Sequence, residues 1–431
     1  MQTDSLAKLV VIGLGSNQNS IINLRRALLE IRRESNFKIL KVSRIYESSA
    51  QLPNQAPADW DQAYLNAAVL VEVQSYDSQG LLRQLKAIEV RLGRLKTEKW
   101  APRIIDLDIL FVKDFNFHTK NLHIPHPMLA ERPFAFLPGL EVYSDMHLIK
   151  KDNLQAYNTR ISDRYFWPEF VAILNVTPDS FSDGGKYTER EKFLQQARQL
   201  IADGADYLDV GAESTRPMAE TISHTEEMLR LNWALNLLEE LKKEDLQFKV
   251  SIDSRNYETV REVVQNYKID LINDVSGLFD YKMLDLIKEY NFSAVCMHSL
   301  SVPANKEIVL KSDCNPVQEI SNWWTLREKI FSDYNIKTDN IFFDPGFGFG
   351  KTTEQSRYLV NHLEDFCKIQ HKFFLGYSRK SFLSYSNERK NAHMDLETSL
   401  VTQKINPAFC QLLRVHDIET QKIALRMSNA I

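Results

Sequence analysis

The chain has 431 residues, enough for two or three domains, and 44% of them are hydrophobic, which is sufficient for well-packed cores. Its 53 lysines and arginines nearly balance 57 aspartates and glutamates, giving a formal net charge of −4. This balance provides no overall basic field for nucleic acid, so we expect an anionic ligand to be held by local groups.

The sequence predicts a soluble, cytoplasmic protein with no membrane partner. No apolar stretch approaches the roughly 20 residues that span a bilayer, and the apolar run at Leu9–Leu14 is too short for a signal peptide and predicts a strand. None of the four cysteines forms a C-x-x-C pair. This cysteine usage favours reduced thiols in a cytosolic setting.

The first 143 residues predict an α+β domain. Apolar residues at spacings of three and four predict helices near 24–31 and 81–92. The candidate strands are 9–15, 38–48, 64–73 and 106–112. From 144 to 168, charged and amide residues outnumber apolar ones, which predicts a linker. We therefore assign 1–143 to a first domain and 169–431 to a second.

The second domain alternates short apolar, β-branched runs with amphipathic stretches. The eight runs are 171–176, 207–210, 249–252, 271–272, 294–297, 341–343, 373–375 and 412–415. Eight βα units favour a (β/α)8 barrel. A doubly wound open sheet is the alternative.

A polar residue follows each run or interrupts it near its end. These residues are Asn175, Asp209, Asp253, Asn273, His298, Asp344, Ser378 with Lys380, and Arg414 with His416. A single Asp or Asn after a strand is usually a turn former or a helix cap. In a barrel, however, the carboxyl ends of all strands meet on one face. The pattern therefore predicts one polar pocket.

Three short motifs do not qualify as binding sites. Gly13-Leu14-Gly15 lacks the third glycine of a dinucleotide fingerprint, and Gly346–Thr352 lacks the first glycine of a P-loop because Pro345 stands there. His123 and His126 have no cysteine or carboxylate cluster nearby in the sequence to complete a metal site.

Asp106 and Asp108 form the first candidate catalytic pair. Two apart on a predicted strand, they face the same side. Two close carboxylates favour a cation, and oxygen ligands beside phosphates favour Mg²⁺. Four cations precede the pair: Arg94, Lys96, Lys99 and Arg103. A polyphosphate substrate needs such charges, although surface ion pairs remain the alternative.

The first domain resembles the 6-hydroxymethyl-7,8-dihydropterin pyrophosphokinase family over nearly its whole length. The motifs are GLGSN at 13–17, YLNAAV at 64–69, the 94–110 segment, IPHP at 124–127 and RPF at 132–134. The resemblance implies a ferredoxin-like α+β sandwich and Mg²⁺ ions that bridge ATP to Asp106 and Asp108. It also implies ATP and phosphate contacts by Arg94, Lys96, Arg103, His126 and Arg132, and pterin contacts by Tyr64, Asn66, Glu89 and Phe134. Lys96 departs from the arginine that is common in the family.

The second domain resembles dihydropteroate synthase from about residue 170 onward. The motifs are ILNVTPDSFSDGG at 173–185, GADYLDVGAESTRP at 204–217, VSIDSR at 250–255, LINDVSG at 271–277, FFDPGFGFGK at 342–351, LGYSRKS at 375–381 and LLRVHD at 412–417. That family has the (β/α)8 fold and condenses dihydropterin pyrophosphate with p-aminobenzoate, releasing pyrophosphate.

The same resemblance implies the site residues of the second domain. The pterin contacts are Asp253, Asn273, Asp344 and Lys380, with Asp253 and Lys380 catalytic. The pyrophosphate contacts are Thr215, Arg216, Arg414 and His416, and the Mg²⁺ ligand is Asn175. The p-aminobenzoate pocket consists of Phe181, Pro217 and Ser378. We expect the loop 177–185 to act as a lid and sulfonamides to bind the aminobenzoate pocket.

Our leading interpretation is a bifunctional folate-pathway transferase that runs two consecutive steps on small-molecule substrates. One rival is a fusion with an inactive half, and another is a pterin-binding module without turnover. The second rival does not need the pair Asp106/Asp108 or the pair Arg414/His416. The sequence does not determine the oligomeric state, and a homodimer through the barrel domain is one alternative.

Overall fold

In the computed structural model, the chain divides into two compact units, Met1–Trp167 and Pro168–Ile405 with Phe409–Ile431. The structure describes residues 7–53, 55–74, 76–95, 100–148, 156–162, 168–176, 186–213, 222–244, 246–305, 307–368, 372–384, 391–405 and 410–428. No described helix combines the length and the apolar character that crossing a bilayer requires.

The first unit is a mixed α+β layer structure around an antiparallel sheet. Its strands are β1 (Lys8–Ser16), β2 (Phe37–Val42), β3 (Tyr46–Ser48), β4 (Tyr64–Val73), β5 (Asp106–Val112), β6 (Phe117–His118), β7 (His123–Ile124) and β8 (Arg160–Ile161). Its helices are α1 (Ser20–Arg33), α2 (Ser78–Arg91) and α3 (Pro133–Val142). The sheet order is β5-β1-β4-β3-β8, β2 also pairs with β4, and β6 pairs with β7.

The sheet of the first unit carries buried apolar side chains on both faces. On one face, Val11 and Leu110 pack with Phe136 of α3. Helix α1 buries the predicted stripe of Leu24, Leu28 and Ile31. The sandwich prediction is confirmed, but α3 was not predicted, because its run is apolar all round and has no helical period.

Part of the segment that we predict as a linker is structured within the first unit. Strand β8 pairs with β3, with Ile161 opposite Tyr46. The ring of Tyr157 meets Phe134 edge-on, with the centroids 5.3 Å apart. Polar composition suggested a linker because a short edge strand needs only backbone hydrogen bonds and can carry charged side chains.

The second unit is a closed barrel of eight parallel strands. They are β9 (Glu169–Asn175), β10 (Tyr207–Gly211), β11 (Lys249–Asp253), β12 (Leu271–Asp274), β13 (Ser293–Met297), β14 (Ile341–Asp344), β15 (Lys372–Leu375) and β16 (Leu412–Val415). Each strand pairs with the next, and β16 pairs with β9, so the sheet has no free edge. This closure confirms the barrel and excludes the open-sheet alternative.

Helices follow the barrel strands along the chain. They are α4 (Lys186–Asp203), α5 (His224–Lys242), α6 (Tyr257–Asn266), α7 (Tyr281–Tyr290), α8 (Pro316–Asp333), α9 (Thr353–Asn361), α10 (Asn391–Thr402) and α11 (Ile418–Ser428). Several begin at a side-chain cap. At α9, for example, Thr352 and Gln355 form a reciprocal capping box.

The barrel interior changes from apolar to polar along the strands. A buried apolar cluster comprises Val171, Tyr207, Leu271, Val295, Phe342, Phe374 and Leu412. Side chains two positions apart on a strand face the same side. The residues two positions after four members of that cluster are polar: Asp209, Asn273, Asp344 and Arg414. Strand alternation therefore places this polar layer directly above the apolar floor, towards the carboxyl ends of the strands.

Candidate active sites

The first site lies on three neighbouring strands of the first unit, β4, β1 and β5. Gly15 of β1 pairs with Asn66 of β4 on one side and with Asp106 of β5 on the other. Paired residues share a face of the sheet, and Asp108 faces the same side as Asp106. Because Gly15 has no side chain, Asn66 can approach it closely: a Cβ at Gly15 would lie 3.3 Å from Asn66 Oδ1.

Two arginines hold Asp106. Arg94 Nη1 lies 2.7 Å from Asp106 Oδ1, and Arg103 Nη1 lies 2.6 Å from Asp106 Oδ2. Burial alone would raise the pKa of Asp106, but the nearby charges of Lys86, Arg94 and Arg103 lower it below its ordinary value. Burial, followed by the charge of Asp106, raises the pKa of Asp108 to about 6. The pair therefore has unequal proton affinities.

The carboxylate pair fits a hard divalent cation. An ionised carboxylate has about four lone-pair sites, so Asp106 can accept from two arginines and still coordinate a metal. No group of three or more His, Cys, Asp or Glu side chains suited to a metal occurs among the described residues. Two carboxylates are nevertheless a typical Mg²⁺ set, because this ion usually keeps waters and binds substrate phosphates.

Lys86 of α2 joins this site, although no motif indicated it. Its Nζ lies 2.7 Å from Glu89 Oε1 and donates to Leu107 O at 3.1 Å. Glu89 in turn accepts the Leu107 backbone N–H at 2.7 Å. Together, the two side chains satisfy the N–H and the carbonyl of Leu107 on the outer edge of β5. Because residues three apart on a helix share a face, the spacing of Lys86 and Glu89 is a signal that could have been used.

His126 and Arg132 present hydrogen-bond donors near the same strand. The His126 backbone N–H donates to Leu110 O of β5. Burial and the charge of Arg132 lower the pKa of His126 to about 4, so its ring is neutral at pH 7. Its Nδ1 accepts from the Met128 N–H at 3.3 Å, which leaves the ring proton on Nε2. The Nε of Arg132 is buried without a hydrogen-bond partner in the described part of the chain.

Two of the predicted pterin residues, Tyr64 and Asn66, lie on β4, across β1 from Asp106. Asn66 is buried and donates to Ser48 Oγ at 3.0 Å. Tyr64 precedes it by two positions on β4, and burial raises its pKa. Phe134 stands at the start of α3 against Tyr157, a contact that sequence reasoning missed. Lys96 lies outside the described residues.

The second site is organised by Arg414. Its Nε donates to Asp209 Oδ2 and its Nη2 to Asp253 Oδ2, both at 2.6 Å. Asp209 also accepts from Ser251 Oγ at 2.5 Å. Burial raises the pKa of Asp253 to about 7, although Arg414 opposes that rise. The sequence indicated Asp209 only as a polar strand end, and its role as a partner of Arg414 was missed.

Asn273, Asp344 and Lys380 occupy the same polar layer or its rim. Asn273 and Asp344 are buried, and Asp344 Oδ1 accepts the Gly346 N–H at 2.7 Å. Lys380 Nζ donates to Phe347 O at 2.5 Å. Burial lowers the pKa of Lys380 to about 8, with Asp344 opposing the shift. His298, by contrast, is tied to a buried lysine, Lys351, at 2.9 Å, and sits behind this layer.

Ser378 and His416 lie together. Ser378 Oγ is 3.0 Å from His416 Nδ1 and accepts the His416 backbone N–H at 3.3 Å. Ser378 thus contacts a residue from the predicted pyrophosphate set. The other predicted residues of the aminobenzoate pocket, Phe181 and Pro217, lie outside the described residues. So do Thr215, Arg216 and the loop 177–185.

Gly211 allows two site residues to approach one another. Asn175 is exposed at the end of β9, and a Cβ added at Gly211 would lie 3.0 Å from Asn175 Oδ1 and 3.5 Å from Asp253 Cβ. Any side chain at this position would push those groups apart. An amide oxygen beside a pyrophosphate site suits Mg²⁺, which favours oxygen ligands.

Arg379 fixes the loop between Ser378 and Lys380. Its backbone is left-handed, with φ of 57°. Its guanidinium makes a bidentate pair with Asp395 of α10, at 2.6 and 2.7 Å, and its N–H donates to Thr398 Oγ1 at 3.1 Å. A non-glycine residue in this conformation is costly unless its surroundings hold it. Helix α10 therefore provides the support for this loop.

Comparison with known proteins identifies the family of each half of the chain. Residues 11–144 match the 7,8-dihydro-6-hydroxymethylpterin-pyrophosphokinase family, and residues 171–416 match the pterin binding enzyme family. A folate synthesis bifunctional protein of Chlamydia trachomatis is 32% identical, over 96% of each chain. The chain belongs to the family of folate synthesis bifunctional proteins. A mitochondrial member from Pisum sativum is 30% identical, over 98% of this chain and 89% of its own.

Solved structures resemble this chain over 61% of its length or over nearly all of it. A Clostridium difficile dihydropteroate synthase, crystallised with pteroic acid, is 28% identical with a TM-score of 0.54, over 61% of this chain and 96% of its own. A Plasmodium falciparum two-domain protein is 20% identical with a TM-score of 0.53, over 98% and 97%, and shows the shared fold.

As a bifunctional folate-synthesis enzyme, the chain performs two transfers. It pyrophosphorylates 6-hydroxymethyl-7,8-dihydropterin from ATP, and it condenses the pyrophosphate ester with p-aminobenzoate to give 7,8-dihydropteroate and pyrophosphate. The sequence-based interpretation of two consecutive folate steps is confirmed.

We expect Arg379→Ala or Asp395→Asn to lower kcat/KM of dihydropteroate formation about 10-fold or more, because the loop with Ser378 and Lys380 loses its clamp and small displacements are costly. The pyrophosphokinase rate of the same samples should not change. Exchanging the two charges, Arg379→Asp with Asp395→Arg, should recover part of the loss. Single variants with wild-type synthase kinetics would show that the clamp does not position the loop.

The pKa of Asp253 predicts a pH-dependent stability. The folded barrel raises it from 3.8 to about 7, so its stabilising contribution is full below about pH 4 and is lost as the pH rises through 7. Asp253→Asn removes this dependence. Between pH 4.5 and pH 8, the wild-type unfolding temperature should therefore fall by several degrees relative to the variant in differential scanning calorimetry.

The exposed Asp285→Asn variant on α7 is the matched control and should follow the wild type at both pH values. Parallel curves for the wild type and Asp253→Asn would show that Asp253 does not titrate with a raised pKa.

Proposed function

We propose that Asp106 and Asp108 hold Mg²⁺ for pyrophosphoryl transfer and that the sheet face carrying Asn66, Gly15 and Asp106 aligns the two substrates. The supporting observation is the row of Asn66, Gly15 and Asp106 across three strands. It sets an amide and a carboxylate on one face, separated by a residue without a side chain. When bound, the metal supplies charge neutralisation and orientation of the phosphates.

In this proposal, the protein groups around this row hold the phosphates and the pterin. Arg94, Arg103 and Arg132 donate to phosphate oxygens, as does neutral His126 through Nε2, with Lys96 on the same segment. Tyr64 and Phe134 enclose the flat pterin ring, while Asn66 hydrogen-bonds its edge. Glu89 contributes indirectly, because its carboxylate already accepts the Leu107 N–H of β5 and pairs with Arg94 at 2.5 Å.

The reaction at this site is an in-line displacement. The pterin hydroxymethyl oxygen forms a bond to the β-phosphorus of ATP, and the bond from that phosphorus to the bridging oxygen of AMP breaks. AMP leaves with the bridging oxygen, and the hydroxyl proton is lost from the alcohol. The arginines stabilise the charge that spreads over the transferred oxygens.

In the barrel, we propose that the buried polar layer reads the pterin and that its cations retain the leaving group. Asp253, Asn273 and Asp344 offer acceptors and amide donors to the ring edge, and Lys380 contacts the ring. Arg414 has five N–H donors, of which two are engaged by carboxylates, so others are free to reach pyrophosphate. His416, Thr215 and Arg216 complete that set, and Asn175 holds Mg²⁺.

The condensation breaks the C–O bond to pyrophosphate and forms a C–N bond to the aminobenzoate nitrogen, which then loses a proton. Positive charge develops on the pterin methylene, and the carboxylate of Asp253 stabilises it electrostatically. Phe181, Pro217 and Ser378 are proposed for the aminobenzoate pocket, with the loop 177–185 as its lid.

A homodimer through α10 and α11 is part of the proposal. Each helix exposes two large apolar side chains one turn apart: Leu396 and Leu400 on α10, and Ile423 and Met427 on α11. The two helices pack against one another, so these residues belong to one helical layer. Exposed apolar groups in one layer favour a protein interface. Cytosolic localisation stays a prediction, and the described cysteines Cys296, Cys314 and Cys410 are free thiols.

We expect the two activities to separate by mutation. Asp108→Ala should lower pterin-dependent AMP formation from ATP at least about 100-fold, because it removes a metal ligand, and should leave dihydropteroate synthesis from supplied pterin pyrophosphate near normal. Lys380→Ala should do the reverse. Each variant is the control for the other, and a folded variant that lost both activities would contradict two separate sites.

A further inference from the structure

Lys86 differs from the arginines of the pyrophosphokinase site in how it meets the carboxylates. Arg94 and Arg103 make direct hydrogen bonds to Asp106. Lys86 Nζ lies 3.7 Å from Asp106 Oδ1 and 3.9 Å from Asp108 Oδ1, close enough for charge attraction but beyond a hydrogen bond. Its ammonium thus stands beside both proposed metal ligands without being bonded to either.

The anchors of Lys86 account for two of its three N–H donors. One meets Glu89 Oε1 on the same helix, α2, and another meets Leu107 O on the edge of β5. This leaves a donor and the full positive charge directed at the carboxylate pair. The side chain is 42% exposed and has a flexible four-carbon stem, so it can change partners without disturbing the core.

We propose that Lys86 is a tethered cation that compensates Asp106 and Asp108 in the empty site and moves to the phosphates of ATP when the divalent metal binds. This inference rests on the proposed metal role of the two aspartates. A positive charge beside the pair weakens the binding of a second cation there. Once ATP supplies anionic oxygens, the same charge strengthens nucleotide binding.

The consequence is a coupling between metal and nucleotide. In the wild type, the metal alone binds weakly because Lys86 already neutralises part of the site. Nucleotide draws the ammonium away, so metal and nucleotide favour one another, and this coupling is reciprocal. The site therefore fills with metal and ATP together rather than with free metal first.

The test is a titration of the full chain with Mn²⁺, an oxygen-preferring substitute for Mg²⁺. Binding is monitored through the electron paramagnetic resonance signal of free Mn²⁺. An Asn175→Ala background removes the proposed ligand of the barrel. In the absence of nucleotide, the Lys86→Gln variant should bind Mn²⁺ about 10-fold more tightly than the Asn175→Ala parent. The Lys86→Arg variant, which keeps the charge, should resemble the parent. Affinity for α,β-methylene-ATP should fall about 10-fold in Lys86→Gln.

Lys41→Gln is the matched control, because Lys41 also donates to a backbone carbonyl, that of Glu141 at 2.9 Å, but lies on β2. It should change neither affinity. Equal or weaker Mn²⁺ binding by Lys86→Gln than by the parent overturns the proposal for Lys86. Unchanged Mn²⁺ binding by Asp108→Ala would instead overturn the metal role of the aspartates, so the two failures are distinguishable.

Discussion

The guanidinium of Arg414 lies between two carboxylates inside the barrel, and the polar layer of the synthase site depends on that placement. Asp209 is fully buried, and Asp253 is nearly so. Unpaired charges at such depth would be strongly destabilising, while a pair with good geometry is tolerated. Arg414 offsets both carboxylates and retains further donors. The barrel can therefore keep acidic groups in its interior and still present positive charge at the proposed pyrophosphate site.

At the pyrophosphokinase site, side chains likewise provide partners for polar groups, in this case backbone groups at a sheet edge. Strand β5 is the outermost strand of its sheet, and an edge strand has backbone groups without a partner strand. Glu89 accepts from the Leu107 N–H, and Lys86 donates to the Leu107 carbonyl. The same two side chains that complete the edge also set the charge around Asp106 and Asp108. Structural and electrostatic requirements are thus met by one short stretch of helix α2.

The local patterns in the sequence predicted most of the fold and part of each candidate site. The D-x-D spacing placed Asp106 and Asp108 on one face, and the eight strand ends identified the polar residues of the barrel. The pairing of Arg414 with Asp209 spans 205 positions, and no periodic pattern encodes which charges meet over such a distance. Tyr157 was missed for a related reason, because its partner Phe134 is brought to it only by the folded first unit.

The two sides of helix α10 have different surroundings. Its inner side carries Asp395 and Thr398, which hold the left-handed turn at Arg379, and its outer side exposes Leu396 and Leu400. A substitution on the inner side would shift the loop that carries Ser378 and Lys380 from a helix that contributes no residue to the proposed site. Ligand affinity at the proposed site therefore depends on α10 as well as on the residues that are proposed to contact the ligand.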